Sequence, residues 1–231
     1  MGDDGQAKRW PGCMELKYLR ELVKGGEGLL LEFKHKASFP EKIVREMVAF
    51  ANTRGGRLLI GVGDDGTITG LKFAEDDRFV LERAIQRHSR PALRYTCELI
   101  DINPKKSVLS YRIHESRRKP IYYLDAPGVR GRVYLRLGDK SIQASPEFVE
   151  ILRNAHRKKG VLIRIGDAER KLLQYLEANE TITLNRYREI ALLPRPVASR
   201  ILVRLSLGNV IEAIPGETED FYRIKHQLSS I

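Results

Sequence analysis

Cysteine is nearly absent: Cys13 and Cys97 are the only two among 231 residues, too few for a disulfide framework or a multi-cysteine zinc site. The five histidines are scattered with no His-x-x-x-His pair, which leaves neither a zinc centre nor a nucleophilic triad to assign to them. No apolar run approaches the roughly 18 residues that cross a bilayer, so no membrane partner is expected. The polar start, with Asp3 and Asp4, lacks the make-up of a signal peptide. A Gly-x-x-x-x-Gly-Lys-Ser/Thr loop is missing as well. Gly61 to Gly66 has no lysine to reach phosphates, which excludes an ATP site of the P-loop kind. These absences lead us to expect a cytoplasmic protein without internal repeats.

Positive charge is what the chain has in excess. It carries 41 Lys and Arg against 30 Asp and Glu, a net charge of +11 with a pI near 9.7. Such an excess adds nothing to folding and favours a polyanionic partner, nucleic acid or an anionic membrane surface. From Val161 onward 10 basic residues face 9 acidic ones, so 31 against 21 fall on the first 160 residues. The electrostatic footprint therefore lies on the N-terminal part. Hydrophobic residues make up 42%, enough to fill a core.

Periodicity predicts a mixed α/β domain over residues 15–158, after a tail over 1–14. Leu16, Leu19, Leu22 and Val23 have helical spacing that closes at Gly25-Gly26. A short strand over Leu29–Lys34 precedes a helix from Pro40 to Ala51, which Gly55-Gly56 ends. Strands are expected at Arg57–Val62, Thr67–Leu71, Thr96–Ile102, Ser107–His114, Ile121–Leu124 and Arg132–Leu137, with helices at Asp76–Arg87 and Ser145–Arg157. His156–Gly160 reads as a linker. Over 161–228 the pattern gives helices at Asp167–Ala178, Leu184–Leu192 and Val197–Leu207, then a hairpin of Val210–Ile214 and Phe221–Lys225. That order suggests a winged helix-turn-helix.

The densest constellation runs from Glu27 to Lys34 and from Ala49 to Gly66. Strand alternation places Glu32 and Lys34 on one face, with Leu31 and Phe33 on the other. Gly28 allows Glu27 to turn toward Glu32, and Asp64 sits where the next strand ends. Three carboxylates at one edge would suit Mg²⁺ or Mn²⁺, which can activate water against a phosphodiester. The same residues also read structurally: Glu32 with Lys34 as an ion pair, and Asp64-Asp65-Gly66 as a hairpin turn.

Residues from about Glu21 to Ala144 resemble the Schlafen, AlbA-like DNA-binding domain family. The resemblance rests on Glu27-x-x-x-x-Glu32-Phe-Lys34, on Ala49-Phe-Ala-Asn-Thr53-x-Gly55-Gly56, on Gly61-Val-x-Asp64-Asp65-Gly66, and on Tyr134-Leu-Arg136-Leu-Gly138-Asp-Lys-Ser141. In animal Schlafen nucleases two Glu and a downstream Asp form a metal-dependent RNA-cleaving site. On the matching positions the resemblance implies Glu27, Glu32 and Asp64 as catalytic residues and metal ligands, with Gly63 standing where the family often has a first Asp. The animal core joins two such modules and this chain has one, which makes a homodimer the expected working form.

Basic and aromatic residues alternate after Tyr111. Arg112, Arg117, Arg118, Lys119, Arg130, Arg132 and Arg136, beside Tyr111, Tyr122, Tyr123 and Tyr134, are expected to clamp phosphates and stack bases, together with Lys34. A solvated rim over core tyrosines is the structural alternative. Arg195, Ser199, Arg200 and Arg204 lie on or beside the presumed recognition helix. The sequence thus suggests a metal-dependent endoribonuclease acting on structured RNA such as tRNA. Its alternatives are a non-catalytic DNA-binding regulator, or an adaptor that uses the winged helix for protein contacts.

Overall fold

A computed structural model describes residues 16–126, 128–155 and 162–225. The tail over 1–14, the linker at His156–Gly160 and Cys13 lie outside the described residues. Among those described, no helix is long and apolar enough to cross a membrane.

The architecture is mixed α/β, as the periodicity predicts. Helix α1 (Leu16–Lys24) buries Leu19 and Val23, four residues apart on one face. Strand β1 (Leu31–Lys34) leads into α2 (Pro40–Asn52), which begins on a proline whose missing N–H costs nothing in a first turn. Gly55 is needed for the exit from α2. Its φ is +71°, and a Cβ there would lie 2.7 Å from the Ile113 carbonyl oxygen. Strand β2 (Gly56–Ile60) then runs parallel to β1, Leu31 against Arg57 through Lys34 against Ile60. Helix α3 (Ala74–His88), the two-residue β3 (Ser89–Arg90) and the hairpin of β4 (Tyr95–Asn103) and β5 (Lys106–Ile113) follow. The four-stranded sheet has the order β1-β2-β5-β4, with β5 antiparallel to both neighbours.

Strand alternation sorts this sheet into two faces. Leu58, Ile60, Leu109 and Tyr111 join Ile43, Val44 and Met47 of α2 and Leu81 of α3 in one core. Leu59, Val108 and Phe33 point the other way and pack with Leu19 and Val23 of α1.

Some expectations are corrected here. The returning strand at Thr67–Leu71 is reduced to isolated bridges, Val62 with Ile68 and Leu71 with Ser107. Only Tyr122–Tyr123, β6, pairs within the expected Ile121–Leu124, against β3. The strand β7 (Tyr134–Leu137) pairs with β8 (Lys140–Gln143), and periodicity misses β8 because three of its four residues are polar. Helix α4 (Pro146–Asn154) follows, with the Ser145 hydroxyl accepting the Phe148 N–H.

The C-terminal segment folds as α5 (Asp167–Ala178), β9 (Ile182–Thr183), α6 (Leu184–Ala191), α7 (Arg195–Leu207), β10 (Ile211–Ile214) and β11 (Phe221–Ile224). Its three strands pair in the order β10-β11-β9. Leu172, Tyr187, Leu202, Leu205 and Tyr222 form its own core. Helix α7 packs against α4, Ser145 bonds Asp220, and Lys140 pairs with Glu217 at 2.7 Å.

One buried amide joins the end of α2 to the later strands. Asn52 Nδ2 donates to the carbonyls of Ile121 (2.8 Å) and Tyr134 (3.1 Å), and its Oδ1 accepts the Ile121 N–H at 2.7 Å. The next residue, Thr53, accepts the Arg136 N–H at 2.9 Å. Removing the Asn52 amide would strand buried backbone groups at about 1–3 kcal/mol each. Asn52→Ala is therefore expected to lose about 2–4 kcal/mol of stability, measured from the midpoint and slope of urea unfolding; a loss below about 1 kcal/mol would contradict this role.

Candidate nucleic-acid interface and the buried acidic cluster

Glu32 and Lys34 share the face of β1 that looks toward α2, as alternation requires. Glu32 is 5% exposed, and Lys34 Nζ donates to its Oε1. Arg136 of β7 arrives from the other side, its Nη2 lying 3.0 Å from Glu32 Oε2. The same guanidinium donates to the Gly28 carbonyl (2.7 Å) and the Ser141 hydroxyl (3.1 Å), and its carbon lies 4.6 Å from the centre of the Phe50 ring. Lys34 Nζ is also 3.4 Å from Glu46 Oε1 on α2. Glu46 is a member of this cluster that sequence reading missed. Its place one helical turn before Phe50 was the available signal.

The three expected metal ligands do not form, among the described residues, a group that could hold a metal ion. Glu27 Oε1 accepts the Phe33 N–H at 2.7 Å, Glu32 faces two cations of the protein itself, and Asp64 lies exposed in the turn. The neighbouring Asp65 carboxylate accepts the Thr67 N–H and hydroxyl, each at 2.8 Å, which makes this segment a built turn. Among the described residues no three His, Cys, Asp or Glu side chains form a group that could hold a metal ion. In this arrangement the residues do not fit Mg²⁺ or Mn²⁺, because the positions next to Glu32 hold a guanidinium and an ammonium that would repel another cation.

The charges in the cluster shape one another. Burial raises the Glu27 carboxyl above its ordinary value, the Phe33 N–H and Lys34 pull it back, and the charges of Glu32 and Asp64 push it up. For Lys34, burial acts downward, and its contacts with Glu32, Glu46 and Glu27 outweigh it, so its ammonium is held above the usual value. Burial, then the charge of Glu32, pushes Glu46 up to about 7 against the pull of Lys34 and Arg136. One Glu46 oxygen, Oε2, is buried with no hydrogen-bond partner among the described residues.

The expected basic surface divides. Arg112, Arg117, Arg118, Arg130 and Arg200 are exposed. Lys119 donates to the Thr53 carbonyl (2.8 Å) and pairs with Glu115 (2.6 Å), while Arg132 pairs with Asp125 and Arg204 with Glu169. Arg136 cannot contact a phosphate from solvent, since its side chain is 1% exposed and neutralises Glu32. The tyrosines are corrected too. Tyr111, Tyr123 and Tyr134 are buried core residues, and half-buried Tyr122 accepts a hydrogen bond from Arg153 at 3.1 Å. Tyr111, Tyr123 and Tyr134 sit at inward strand positions and cannot stack on bases. On α7, Arg195 approaches Glu147 of α4 at 4.0 Å.

Strand register adds a residue that linear reading missed. Arg57 of β2 lies directly opposite Arg112 of β5. Burial lowers the Arg57 guanidinium, Glu98 offsets that in part, and Arg112 adds to the lowering. Its Nη1 donates to Ser110 at 2.6 Å. Like charges facing across two strands are destabilising.

The family profile described as Schlafen, AlbA_2 matches residues 27–145. No curated protein matches the chain. Among solved structures, the N-terminal domain of a RecG-related protein from Nitrosomonas europaea is similar at 26% identity, covering 55% of this chain and 91% of that one, with a TM-score of 0.41. The DIP2311 protein from Corynebacterium diphtheriae is similar at 14% identity and a TM-score of 0.43, covering 86% of this chain and 46% of that one.

Two outcomes follow from the cluster. Removing Arg136 would leave Glu32 buried with one cation fewer, so Arg136→Ala is expected to cost about 3–5 kcal/mol in denaturant unfolding. The second concerns pH. A carboxyl at about 7 in the folded chain and 4.5 otherwise keeps a proton that the unfolded chain releases. Stability therefore falls as pH rises from about 4.5 to about 7 and levels off above that. Glu46→Gln should remove this decline and stabilise the chain at pH 8 by on the order of 2–3 kcal/mol. Parallel stability curves for the two proteins between pH 5 and pH 8 would refute it.

Proposed function

Because the chain belongs to the Schlafen, AlbA_2 family, we propose that it binds nucleic acid through the basic surface of its N-terminal part, without cutting the strand at Glu27, Glu32 and Asp64. The observation that carries this reading is the facing pair Arg57 and Arg112. A cross-strand pair of guanidiniums works against the sheet, and a polyanion laid across it relieves that repulsion. Exposed Arg117, Arg118 and Arg130 lie in the same N-terminal part, in keeping with the excess of charge on the first 160 residues. The engagement of Glu32 by Lys34 and Arg136 supports the non-cleaving half of the reading.

One observation favours a second reading, metal-dependent cleavage of a structured RNA such as tRNA. Glu27 feels the charges of both Glu32 and Asp64, so the three acids are neighbours even though they do not converge. For the C-terminal segment, the order helix, strand, two helices and hairpin suits a winged helix. Packing of α7 on α4 favours it as a docking element over one that reads a duplex groove with the whole of α7.

Titrating the full chain with labelled RNA and DNA tests both readings. Each phosphate contact contributes about 0.9 to the salt slope on duplex DNA and about 0.7 on a single strand. Arg112→Ala is expected to weaken binding and to lower the slope by about that amount. Wild-type protein should leave RNA intact with Mg²⁺ and with Mn²⁺. Cleavage that Glu32→Gln abolishes, with binding retained, would replace this proposal by the second reading.

A further inference from the structure

The basic surface also contains a hole. Between the last turn of α2, the segment from Pro91 to Arg94 and the turn at Ser116–Arg118 lies a cavity of about 240 Å³. Its lining divides by chemistry. Ala51, Leu93 and Ile121, all buried, form an apolar floor, and three exposed arginines, Arg94, Arg117 and Arg118, stand around it. None of the lining residues is acidic. The nearest acid in sequence, Glu115, is engaged by Lys119 at 2.6 Å.

The cavity is built into the fold. Ser116 donates its N–H to the Ala51 carbonyl at 2.8 Å, and its hydroxyl accepts the Arg118 N–H at 3.1 Å. Asn52 fixes Ile121 through both its backbone groups. A preformed site costs less to occupy than one that must be ordered on binding.

Three guanidiniums around an apolar floor set two demands on an occupant. It must bring negative charge, because the arginines repel one another, and it must bring a flat apolar surface, because water on the floor gains little. Inorganic phosphate meets only the first demand and a neutral aromatic only the second. A nucleotide meets both, with its base on the floor and its phosphate in reach of planar guanidiniums that hold phosphate oxygens in pairs. The volume is below the roughly 300–1,000 Å³ of sites for larger ligands, which limits the occupant to one base. Inside a duplex a base is stacked and paired and cannot enter such a hole.

We infer that this cavity seats one unpaired nucleotide of a bound strand, so that the protein prefers single-stranded or looped nucleic acid to perfect duplex. The inference rests on the nucleic-acid reading above. Two variants of the full chain separate its parts. Ala92 is exposed and lines the cavity, so Ala92→Trp fills the hole and removes no charge. The pair Arg117→Ala and Arg118→Ala removes charge and leaves the hole.

The probes are a labelled single-stranded oligonucleotide, the blunt duplex made from it, and a free nucleoside monophosphate. Ala92→Trp should weaken single-strand binding about tenfold, which is about 1.4 kcal/mol, at an unchanged salt slope, and should leave duplex binding within about twofold of wild type, equivalent to about 0.4 kcal/mol. The double arginine variant should lower the single-strand slope by about 1.4, from two contacts at about 0.7 each. Single-strand binding by Ala92→Trp equal to wild type overturns the inference, as does an equal loss on strand and duplex. A nucleoside monophosphate bound as tightly as the strand overturns the strand as the source. Wild-type protein that binds neither strand nor duplex overturns the nucleic-acid reading, and the cavity assignment with it.

Discussion

The contact between Glu32 and Arg136 determines where the other charges of the N-terminal part can stand. It joins β1 of the main sheet to β7, a strand that among the described residues pairs only with β8. Taking two ions out of water costs several kcal/mol each, and the pair is tolerable only when the remaining donors and acceptors are also met. Here they are met in part: Gly28 and Ser141 receive the guanidinium, Phe50 lies against it and Lys34 takes the other Glu32 oxygen, while Arg136 Nε and Glu32 Oε2 have no hydrogen-bond partner among the described residues. Lys34 must then serve two acids at once. Glu46 receives what remains of that cation, and burial, then the charge of Glu32, outweigh it and push the carboxyl up to about 7.

This arrangement bears on how Glu32 can act. A carboxylate flanked by an arginine and a lysine has its charge offset within the fold, and a further cation beside it would meet repulsion from both. Of the acids at the motif positions, Glu27 holds the Phe33 N–H and Glu32 is engaged by Lys34 and Arg136, while Asp64 is exposed in its turn. The arginines outside the cluster are in the opposite situation. Arg57 and Arg112 face each other, and Arg94, Arg117 and Arg118 ring a cavity without an acid on its wall. Charge in the cluster around Glu32 is balanced within the fold, and these arginines are left at the surface. A polyanion is the partner that such an imbalance selects.

Much of this was legible in the sequence where the physics is local. The spacing of Leu19 and Val23, the proline at the start of α2, Gly55 after its end, and the shared face of Glu32 and Lys34 all depend on residues a few positions apart. What could not be read depends on pairing between distant segments. Arg136 looks like its basic neighbours until β7 is placed beside α2, where it meets Glu32. Tyr111, Tyr123 and Tyr134 sit among arginines in sequence, and only the direction of each strand shows that they enter the core. Arg57 stands apart from the basic run in the chain, and the register of β2 on β5 sets it against Arg112. The same limit applies to β8, whose polar residues carry no strand signal of their own.

The Asn52-Thr53 dipeptide shows why the buried cluster and the cavity belong to one rigid assembly. Asn52 holds Ile121, part of the cavity floor, and also the Tyr134 carbonyl. Thr53 takes the Arg136 N–H, two residues further along β7. Adjacent residues at the end of α2 thus position an apolar wall on one side and a buried guanidinium on the other. Neither task could be done by an apolar side chain, because each satisfies backbone groups that have no water to turn to. An Ala-Asn-Thr run followed by paired glycines is therefore understood as construction. Asn52 and Thr53 fasten the later strands to α2, and Gly55 lets the chain leave the helix past the Ile113 carbonyl. With those fastenings made, the floor of the cavity is in place before any ligand arrives, and binding there does not have to order it.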